Sequence, residues 1–346
     1  MSDRVSSEPD AASGPVLTVV PCMYRRRQYI LEALRSVILA LHDVPSQAAE
    51  IVLVADEVDD QLQELARRQS VRIVRSTAPG VGEMMVTGLK ESHGRFVAFL
   101  DDDDLVDPGR FLRFLSVLSA HPSLTYYHNG FRPFRDRPPN EPQPPAPEPR
   151  IFQWPPSAPE EAATAMEFLA SRNREQNLSS TIVRRDVLLH QAPRLARITG
   201  LTDTFVFFAS LVEGGTLVFD DAVGTWIRRH GSNTTSSPRD LLSKRETRDV
   251  VREMVRSSDP PKITAAYTSL RRARDVIFDA SRGDEPSRKQ VPEAIAELLR
   301  ANRSTHRTKN MAYVALALVL MVAPGLGTAL GRRLVTVLIP EGVSRV

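Results

Sequence analysis

Apolar residues along the first hundred positions alternate between strand-like runs and helical spacings. Short runs rich in β-branched residues, such as VLTVV (Val16–Val20) and EIVLVAD (Glu50–Asp56), are each followed by a segment of helical character. The segment YILEALRSVILALHDV has apolar residues at Ile30, Leu34 and Val37, one face of a helix. VRIV and RFVAFL are two further predicted strands. Strands that alternate with helices predict a parallel α/β sheet, and their nearly continuous apolar character predicts helices on both faces.

The rest of the chain divides by composition. The segment STIVRRDVLLHQ predicts a strand and a helix, TDTFVFFASLVEG predicts an apolar helix that ends at Gly214, and TLVFDDAVGTWIRRHGSN predicts one or two strands. We therefore predict a disordered lead (1–14), an α/β domain (15–237) with a proline-rich loop (137–159), a helical extension (238–310) and an apolar C-terminal segment (311–346).

The apolar C-terminal segment contains no charged residue from Met311 to Gly331. A helix of this length reaches across the roughly 30 Å hydrocarbon layer of a bilayer. However, Pro324, Gly325 and Gly327 interrupt it. A spanning helix, an interfacial anchor and a helix that packs on the domain or on a partner chain are the alternatives. We expect membrane contact through residues 311–339.

Composition excludes several classes of protein. The net charge of the 346 residues is +3, and basic and acidic residues are interleaved, so nucleic acid is not an expected partner. Cys22 is the only cysteine, which excludes an intrachain disulfide and argues against a zinc cluster. The polar N-terminus lacks the pattern of a signal peptide. We expect a cytoplasmic protein, at the cytoplasmic face of the membrane if the C-terminal segment binds there.

The motif FLDDDDLVDP places four adjacent carboxylates, Asp101 to Asp104, after the fourth predicted strand. Two charges about 4 Å apart repel by roughly 4 kcal/mol at an effective dielectric constant near 20. Either water solvates such a run, or a cation binds within it. Ligands of open α/β sheets bind beyond the carboxyl ends of the strands, where Asp56 and Asp101 both lie. This position favours a binding site.

The ordered series of motifs resembles family 2 glycosyltransferases, which have the GT-A fold. The resemblance covers roughly residues 15 to 235. It rests on TVVPCMYRR with Tyr24, IVLVAD with Asp56, FLDDDD with Asp101 and Asp103, LTDTF with Asp203, and RRHGSN with Arg228, Arg229 and His230. It implies a GT-A, Rossmann-like and mostly parallel sheet flanked by helices, and a nucleotide-sugar donor.

The resemblance also implies roles for these residues. Tyr24 stacks on the nucleobase and Asp56 reads it, while Asp101 binds the ribose. Asp103 binds Mg²⁺ or Mn²⁺, which takes carboxylate and diphosphate oxygens together. His230 reaches the metal or the diphosphate.

Arg228 and Arg229 are expected to contact the diphosphate, and Asp203 to be the catalytic base of an inverting transfer to an acceptor hydroxyl. We expect the helix dipole to lower the pKa of Asp203. If Asp203 only caps its helix, Glu213 or Asp220 is the alternative base. The expected acceptor is lipid-linked or a cell-envelope glycan.

The chain departs from the family pattern at three places. The proline of the first motif is shifted to Pro21, Met85 occupies the place of a nucleotide-contacting arginine, and Thr202 occupies the place of a glutamate. A catalytically degenerate GT-A binding module is therefore one alternative. A phosphatase of the haloacid dehalogenase type is another, with LDDDDL and VFDDAV as its two acidic motifs, although Leu105 stands where a threonine or valine is expected. An EF-hand is excluded by Val106 and Leu112, at positions that need glycine and glutamate.

Overall fold

The computed structural model describes residues 14–23, 27–78, 80–138, 145–171, 177–230, 238–258, 262–281, 285–301, 313–318 and 321. Most of the predicted lead (1–14) and Tyr24 lie outside the described residues. So does most of the C-terminal segment.

A mixed nine-stranded sheet forms the centre of the described structure. Its strands are β1 (Leu17–Met23), β2 (Ala49–Ala55), β3 (Arg72–Arg75), β4 (Phe96–Asp101), β5 (Leu105–Val106), β6 (Leu124–Phe134), β7 (Arg150–Trp154), β8 (Thr181–Arg184) and β9 (Gly215–Arg228). The order is β3-β2-β1-β4-β8-β6-β9-β5, and β7 pairs with β9. Strands β5, β7 and β8 are antiparallel to their neighbours and the others share one direction. The carboxyl ends of β1, β2, β4 and β9 therefore lie at one edge.

The helices are α1 (Arg27–Ala40), α2 (Asp60–Arg68), α3 (Val81–Glu91), α4 (Arg110–Ala120), α5 (Pro159–Ser171), α6 (Arg185–His190), α7 (Ala192–Leu195), α8 (Thr202–Glu213), α9 (Pro238–Ser257), α10 (Lys262–Ser281), α11 (Glu285–Arg288) and α12 (Val291–Ala301). A short 3₁₀ turn, Leu178–Ser180, precedes β8. The predicted architecture, a mostly parallel sheet flanked by helices and followed by a helical C-terminal part, is confirmed.

The alternation of side chains along each strand builds two cores, one on each face of the sheet. In β2, Val52 and Val54 pack in the core that includes α3, α8 and α9. Ile51 and Leu53 point the other way, into the core that includes α1, α2 and α4. Successive strand residues face opposite sides, so a strand covered on both faces must be apolar throughout. This explains the unbroken apolar runs in the sequence.

Two segments differ from the sequence predictions. The predicted proline-rich loop 137–159 contains strand β7, whose Trp154 is buried and donates a hydrogen bond from Nε1 to Thr264 Oγ1 at 3.0 Å. The prolines lie before and after this strand, so the strand itself can pair. Strand β6 carries no alternating apolar pattern, and its pairing with β9, which is parallel and distant in sequence, was not predicted.

The described part of the C-terminal segment packs on the helical extension. Val314, Leu316 and Ala317 are buried in a cluster with residues of α10 and α12. Among the residues that the structure describes, no helix combines the length and apolar character that crossing a bilayer requires.

Candidate active site

Three carboxylates meet at the carboxyl edge of the sheet. Asp101 ends β4, and Asp103 and Asp104 lie in the turn between β4 and β5. One carboxylate oxygen from each lies within 4.8 Å of the other two. Asp103 and Asp104 are buried, whereas Asp101 is partly exposed. We call Asp101, Asp103 and Asp104 the acidic cluster. Asp102 is also buried but is not part of it.

His230, which follows β9, places an imidazole beside the acidic cluster. Its Nε2 lies 2.8 Å from Asp103 Oδ2. The carboxyl end of β9 lies at the same edge as that of β4. The ring of Tyr29 in α1 stacks on the imidazole with 5.1 Å between ring centroids. His230 therefore lies beside Asp103, as the sequence predicts.

Arg228, the last residue of β9, holds the acidic turn in place. Its backbone N–H donates to Asp104 Oδ1 at 3.1 Å, and its Nε donates to the backbone oxygen of Asp103 at 3.1 Å. Its Nη2 donates to Glu32 of α1. The guanidinium lies over the rings of Tyr29 and Phe134, at 4.7 and 4.5 Å from their centroids. Arg228 is buried, and its described contacts shape the turn.

Asp203 is the second residue of α8, so it does not cap the helix; Leu201 precedes the first helical residue. Its Oδ2 accepts a hydrogen bond from the backbone N–H of Asn177 at 2.9 Å, and its Oδ1 accepts one from Thr204 N at 2.7 Å. Asn177 Nδ2 in turn lies 3.5 Å from Asp104 Oδ2. One residue thus connects Asp203 with the acidic cluster.

The expected lowering of the pKa of Asp203 is wrong. Burial raises the pKa of this carboxyl, and it outweighs the opposing hydrogen bonds from Asn177 and Thr204 and the positive charge of Arg271. Removing a carboxylate from water disfavours its charged form more than the helix N-terminus favours it.

Negative charge accumulates in the acidic cluster. Burial, and then the neighbouring charges of Asp101 and Asp103, raise the pKa of Asp104 well above its ordinary value. Hydrogen bonds from Ser179 and from the Arg228 backbone oppose this shift. Burial, followed by Asp101 and Asp102, also raises the pKa of the Cys22 thiol. The cluster is therefore costly to ionise fully without a cation.

A further buried cation, besides Arg228, lies near this negative charge. Arg110, the first residue of α4, is 3% exposed and its Nη2 donates to Thr181 O at 3.4 Å. Burial lowers the pKa of Arg110 to about 10, while Tyr127 and Asp104 act in the opposite direction. Arg110 therefore stays charged at neutral pH and offsets part of the charge of Asp104.

The acidic cluster and His230 fit a hard divalent cation. Carboxylate oxygens, with imidazole as a further donor, suit Mg²⁺ and Mn²⁺. Because the carboxylates converge and repel one another, a bound cation would offset the repulsion that, together with burial, raises the pKa of Asp104.

The residues predicted to contact the nucleotide are only partly located. Asp56 directly follows β2, and its Oδ1 accepts a hydrogen bond from Glu57 N at 3.0 Å. Strand β1 lies between β2 and β4, so Asp56 and Asp101 end strands on either side of β1. Arg229 donates its backbone N–H to Phe134 O at 2.8 Å. These placements are compatible with the predicted roles, which stay predictions.

The second acidic motif of the phosphatase alternative is engaged in another network. Asp220 accepts hydrogen bonds from Arg113 Nη2 at 2.9 Å, from the Tyr127 hydroxyl at 2.9 Å and from Ala222 N at 2.9 Å. Among the described residues, the carboxylates that converge for a metal are those of Asp101, Asp103 and Asp104. The arrangement favours the glycosyltransferase alternative.

Sequence reasoning missed three residues of the site: Tyr29, Glu32 and Asn177. Tyr29 and Glu32 lie on one face of α1, three residues apart, and a tyrosine and a glutamate there are unremarkable in sequence. Asn177 lies three residues before the predicted strand STIVRR, next to the 3₁₀ turn that leads into β8. Asparagine is common in turns, and this general preference was the only sequence signal at Asn177.

The fold and the acidic cluster define the class: the chain has a GT-A fold with the acidic motif of this class after its fourth strand. Residues 18–174 match the family model described as Glycosyl transferase family 2. This part, somewhat less than half of the chain, is similar to the glycosyltransferases of family 2.

Two relatives from Bacillus subtilis (strain 168) match the chain in part. The uncharacterized glycosyltransferase EpsJ is 29% identical over 105 residues, which are 29% of this chain and 29% of EpsJ. The minor teichoic acid biosynthesis protein GgaB is 30% identical over 110 residues, which are 30% of this chain and 12% of GgaB. The matches thus span less than a third of either relative.

Solved structures match nearly the whole chain. S. aureus TarS 1-349 in complex with UDP has a TM-score of 0.60 at 16% identity, and the match covers 92% of this chain and 91% of that chain. The mannosyltransferase PcManGT from Pyrobaculum calidifontis, in complex with GDP-Man and Mn²⁺, has a TM-score of 0.51 at 14% identity, covering 94% and 86%. At these identities the likeness shows the fold.

Proposed function

We propose that this protein transfers a sugar from a nucleoside diphosphate sugar to an acceptor hydroxyl, with inversion and with Mg²⁺ or Mn²⁺. The observation that carries the proposal is the acidic cluster beside His230, at the carboxyl edge of a GT-A sheet. The similarity of residues 18–174 to the glycosyltransferases of family 2 supports it. TarS with UDP-GlcNAc and PcManGT with GDP-Man and Mn²⁺ support a nucleotide-sugar donor and a metal.

In this proposal each group has one task. Asp103 and His230 hold the cation beside Asp104, while Asp101 binds the ribose. A bound Mg²⁺ or Mn²⁺ would neutralise the leaving diphosphate. Asp56 accepts a hydrogen bond from the nucleobase. Asp203 accepts the proton of the acceptor hydroxyl as the new bond forms.

The remaining predicted contacts complete the donor site. Tyr24, outside the described residues, stacks on the base, and Arg229 contacts the diphosphate. We propose that Arg228 supports the diphosphate contact indirectly, because its hydrogen bonds hold the turn that carries Asp103 and Asp104.

A donor panel tests the proposal. Full-length protein is incubated with UDP-, GDP- and dTDP-sugars, with Mn²⁺, with Mg²⁺ or with EDTA, and release of nucleoside diphosphate is measured. We expect release of nucleoside diphosphate from donors of one nucleotide class, and we expect this release to depend on metal and to be lost in Asp103→Asn.

Full activity in EDTA contradicts the metal dependence. Phosphate release from p-nitrophenyl phosphate without turnover of any donor supports the phosphatase alternative, and nucleotide binding without turnover supports a binding module.

We propose a lipid-linked compound or a cell-envelope glycan as the acceptor, reached at the cytoplasmic face of the membrane through residues 311–339. The match to GgaB, a minor teichoic acid biosynthesis protein, supports the acceptor class. Leu318 and Met321 are 48% and 50% exposed, which leaves apolar surface for a membrane. Flotation with vesicles tests the contact: full-length protein should float with the lipid. Protein that stays wholly at the bottom of the gradient contradicts it.

A further inference from the structure

Asn177 has a backbone conformation that most residues avoid. Its φ is 76°, in the left-handed region, where a Cβ atom crowds the backbone. Asparagine tolerates this region better than most residues, and glycine tolerates it best. The residue stands directly before the 3₁₀ turn Leu178–Ser180, at the edge of the sheet that carries the acidic cluster.

This conformation lets Asn177 contact two acidic groups at once. Its backbone N–H donates to Asp203 Oδ2 at 2.9 Å. Its side-chain Nδ2 lies 3.5 Å from Asp104 Oδ2, the long end of hydrogen-bond range. Ser180 Oγ donates to Asn177 Oδ1 at 3.2 Å, which turns the NH₂ group of the amide toward Asp104.

We propose that Asn177 is a positioning residue that fixes the catalytic base relative to the metal site. This inference rests on the proposed function, in which the cluster holds the cation and Asp203 is the base. The backbone of Asn177 orients Asp203, and its side chain orients Asp104. A general base accelerates a reaction only when it is held in the correct geometry. Residues that hydrogen-bond to a metal ligand likewise affect the affinity for the metal.

The two contacts can be separated by substitution. Asn177→Gly keeps the positive φ accessible, and with it the N–H directed at Asp203, but removes the amide beside Asp104. Asn177→Ala also removes the amide, and it makes the positive φ unfavourable, so the N–H is displaced from Asp203. Asn177→Asp keeps the shape of the side chain but directs an oxygen instead of an NH₂ group at Asp104.

The test combines metal binding with kinetics. Mn²⁺ affinity is measured by calorimetry in the presence of UDP, and turnover of the active donor is measured at saturating Mn²⁺. We expect Asn177→Gly and Asn177→Asp to weaken Mn²⁺ binding about 10-fold. We expect Asn177→Ala to lose about 10-fold more in kcat than Asn177→Gly, with a similar KM for the donor.

Ser70 supplies the matched control. It is exposed, lies between α2 and β3, and has a φ of 52°, so Ser70→Ala places an alanine at a positive φ far from the acidic cluster. Because serine already carries a Cβ, this variant should change the midpoint of thermal unfolding little and leave Mn²⁺ affinity and kcat as in the wild type. A loss in Asn177→Ala that exceeds the loss in Ser70→Ala is therefore specific to the site.

Two results would overturn the proposal. Wild-type Mn²⁺ affinity in both Asn177→Gly and Asn177→Asp removes the link to Asp104. Equal kcat in the glycine and alanine variants removes the link to Asp203. If Asn177→Ala does not fold, Asn177→Ser, which also places a Cβ at the positive φ and removes the amide, replaces it in the comparison of kcat with Asn177→Gly. A wild-type protein that binds Mn²⁺ but turns over no donor refutes the proposed function, while the Mn²⁺ measurements still test the contact with Asp104.

Discussion

At the scale of single residues, Asp203 shows how burial and hydrogen bonding compete. Burial raises its pKa, whereas two backbone N–H groups and Arg271 lower it, and burial dominates. A general base must be ionised to accept a proton. Activity should therefore rise with pH through the pKa of Asp203, at a pH above the ordinary range for an aspartate, near 4.

Replacing Asp203 by asparagine should remove the base but preserve its shape. We expect kcat to fall by a factor of about 10² to 10⁴ and the acidic limb of the pH profile to disappear. UDP affinity, measured by calorimetry, is the control and should stay within about threefold of wild type, because Asp203 does not contact the nucleotide in this proposal. Near wild-type turnover would move the base to Glu213 or Asp220.

Arg271 of α10 gives a second test of the same carboxyl. Its positive charge favours the ionised form of Asp203. In Arg271→Gln this influence is lost, so the pKa of Asp203 should rise and the acidic limb of kcat should move to higher pH. Arg272→Gln is the matched control, because Arg272 pairs with Glu293 and Glu297. A shift of equal size in both variants would contradict a specific effect of Arg271.

Sequence could predict the residues of the site that end a strand or follow one within two residues, since their position follows from local pattern. Asp101, Asp103 and His230 are such residues, and the structure brings them together. Glu32 and Asn177 could not be assigned in this way. Each belongs to the site through a contact with a residue distant in sequence, Arg228 for Glu32 and Asp203 for Asn177.

At the scale of elements, close backbone contact explains Gly82 at the start of α3. A Cβ on Gly82 would lie 2.7 Å from Ile198 O and closer still to Leu195 O. Gly82 N also donates to Ile198 O at 3.2 Å. Ile198 belongs to the loop that leads into α8 and Asp203. The start of α3 thus supports the helix that carries the proposed base.

Gly82→Ala should destabilise the protein by about 1–3 kcal/mol, because backbone oxygens cannot move aside as a flexible side chain does. Gly80→Ala is the matched control: its Cβ would lie 3.8 Å from the nearest atom, Ile198 O, which is an ordinary contact. Urea unfolding measures both. A Gly80→Ala variant that is as unstable as Gly82→Ala would show that loss of glycine flexibility, not crowding, is responsible.

The elements differ in how far sequence could predict them. Strands β1, β2 and β4 are largely apolar on both faces, so local pattern was sufficient. Strand β6 mixes polar and aromatic residues and pairs with β9 about ninety residues later, and β7 lies among prolines. These strands form because they pair with residues that are distant in sequence, and a local sequence pattern does not show such pairing.

At the scale of the whole molecule, the helical extension shares a core with the GT-A domain. Val250 and Met254 of α9 and Tyr267 of α10 pack in the cluster that contains Phe207 of α8. The rings of Phe207 and Tyr267 meet edge to face with 6.1 Å between centroids. The boundary at residue 238 therefore marks a change of composition, and the hydrophobic core continues across it.

Thr247 of α9 connects this extension to the loop before Asp203. Its buried Oγ1 donates to Gly200 O at 2.7 Å. Thr247→Val preserves shape but leaves that oxygen without this donor, so we expect a loss of about 1–3 kcal/mol and a several-fold lower kcat at unchanged donor KM. In the control, Thr268→Val, only a hydrogen bond to Thr264 O within α10 is lost, and kcat should not change. If kcat is unaffected in Thr247→Val as well, the extension stabilises the domain without positioning its proposed base.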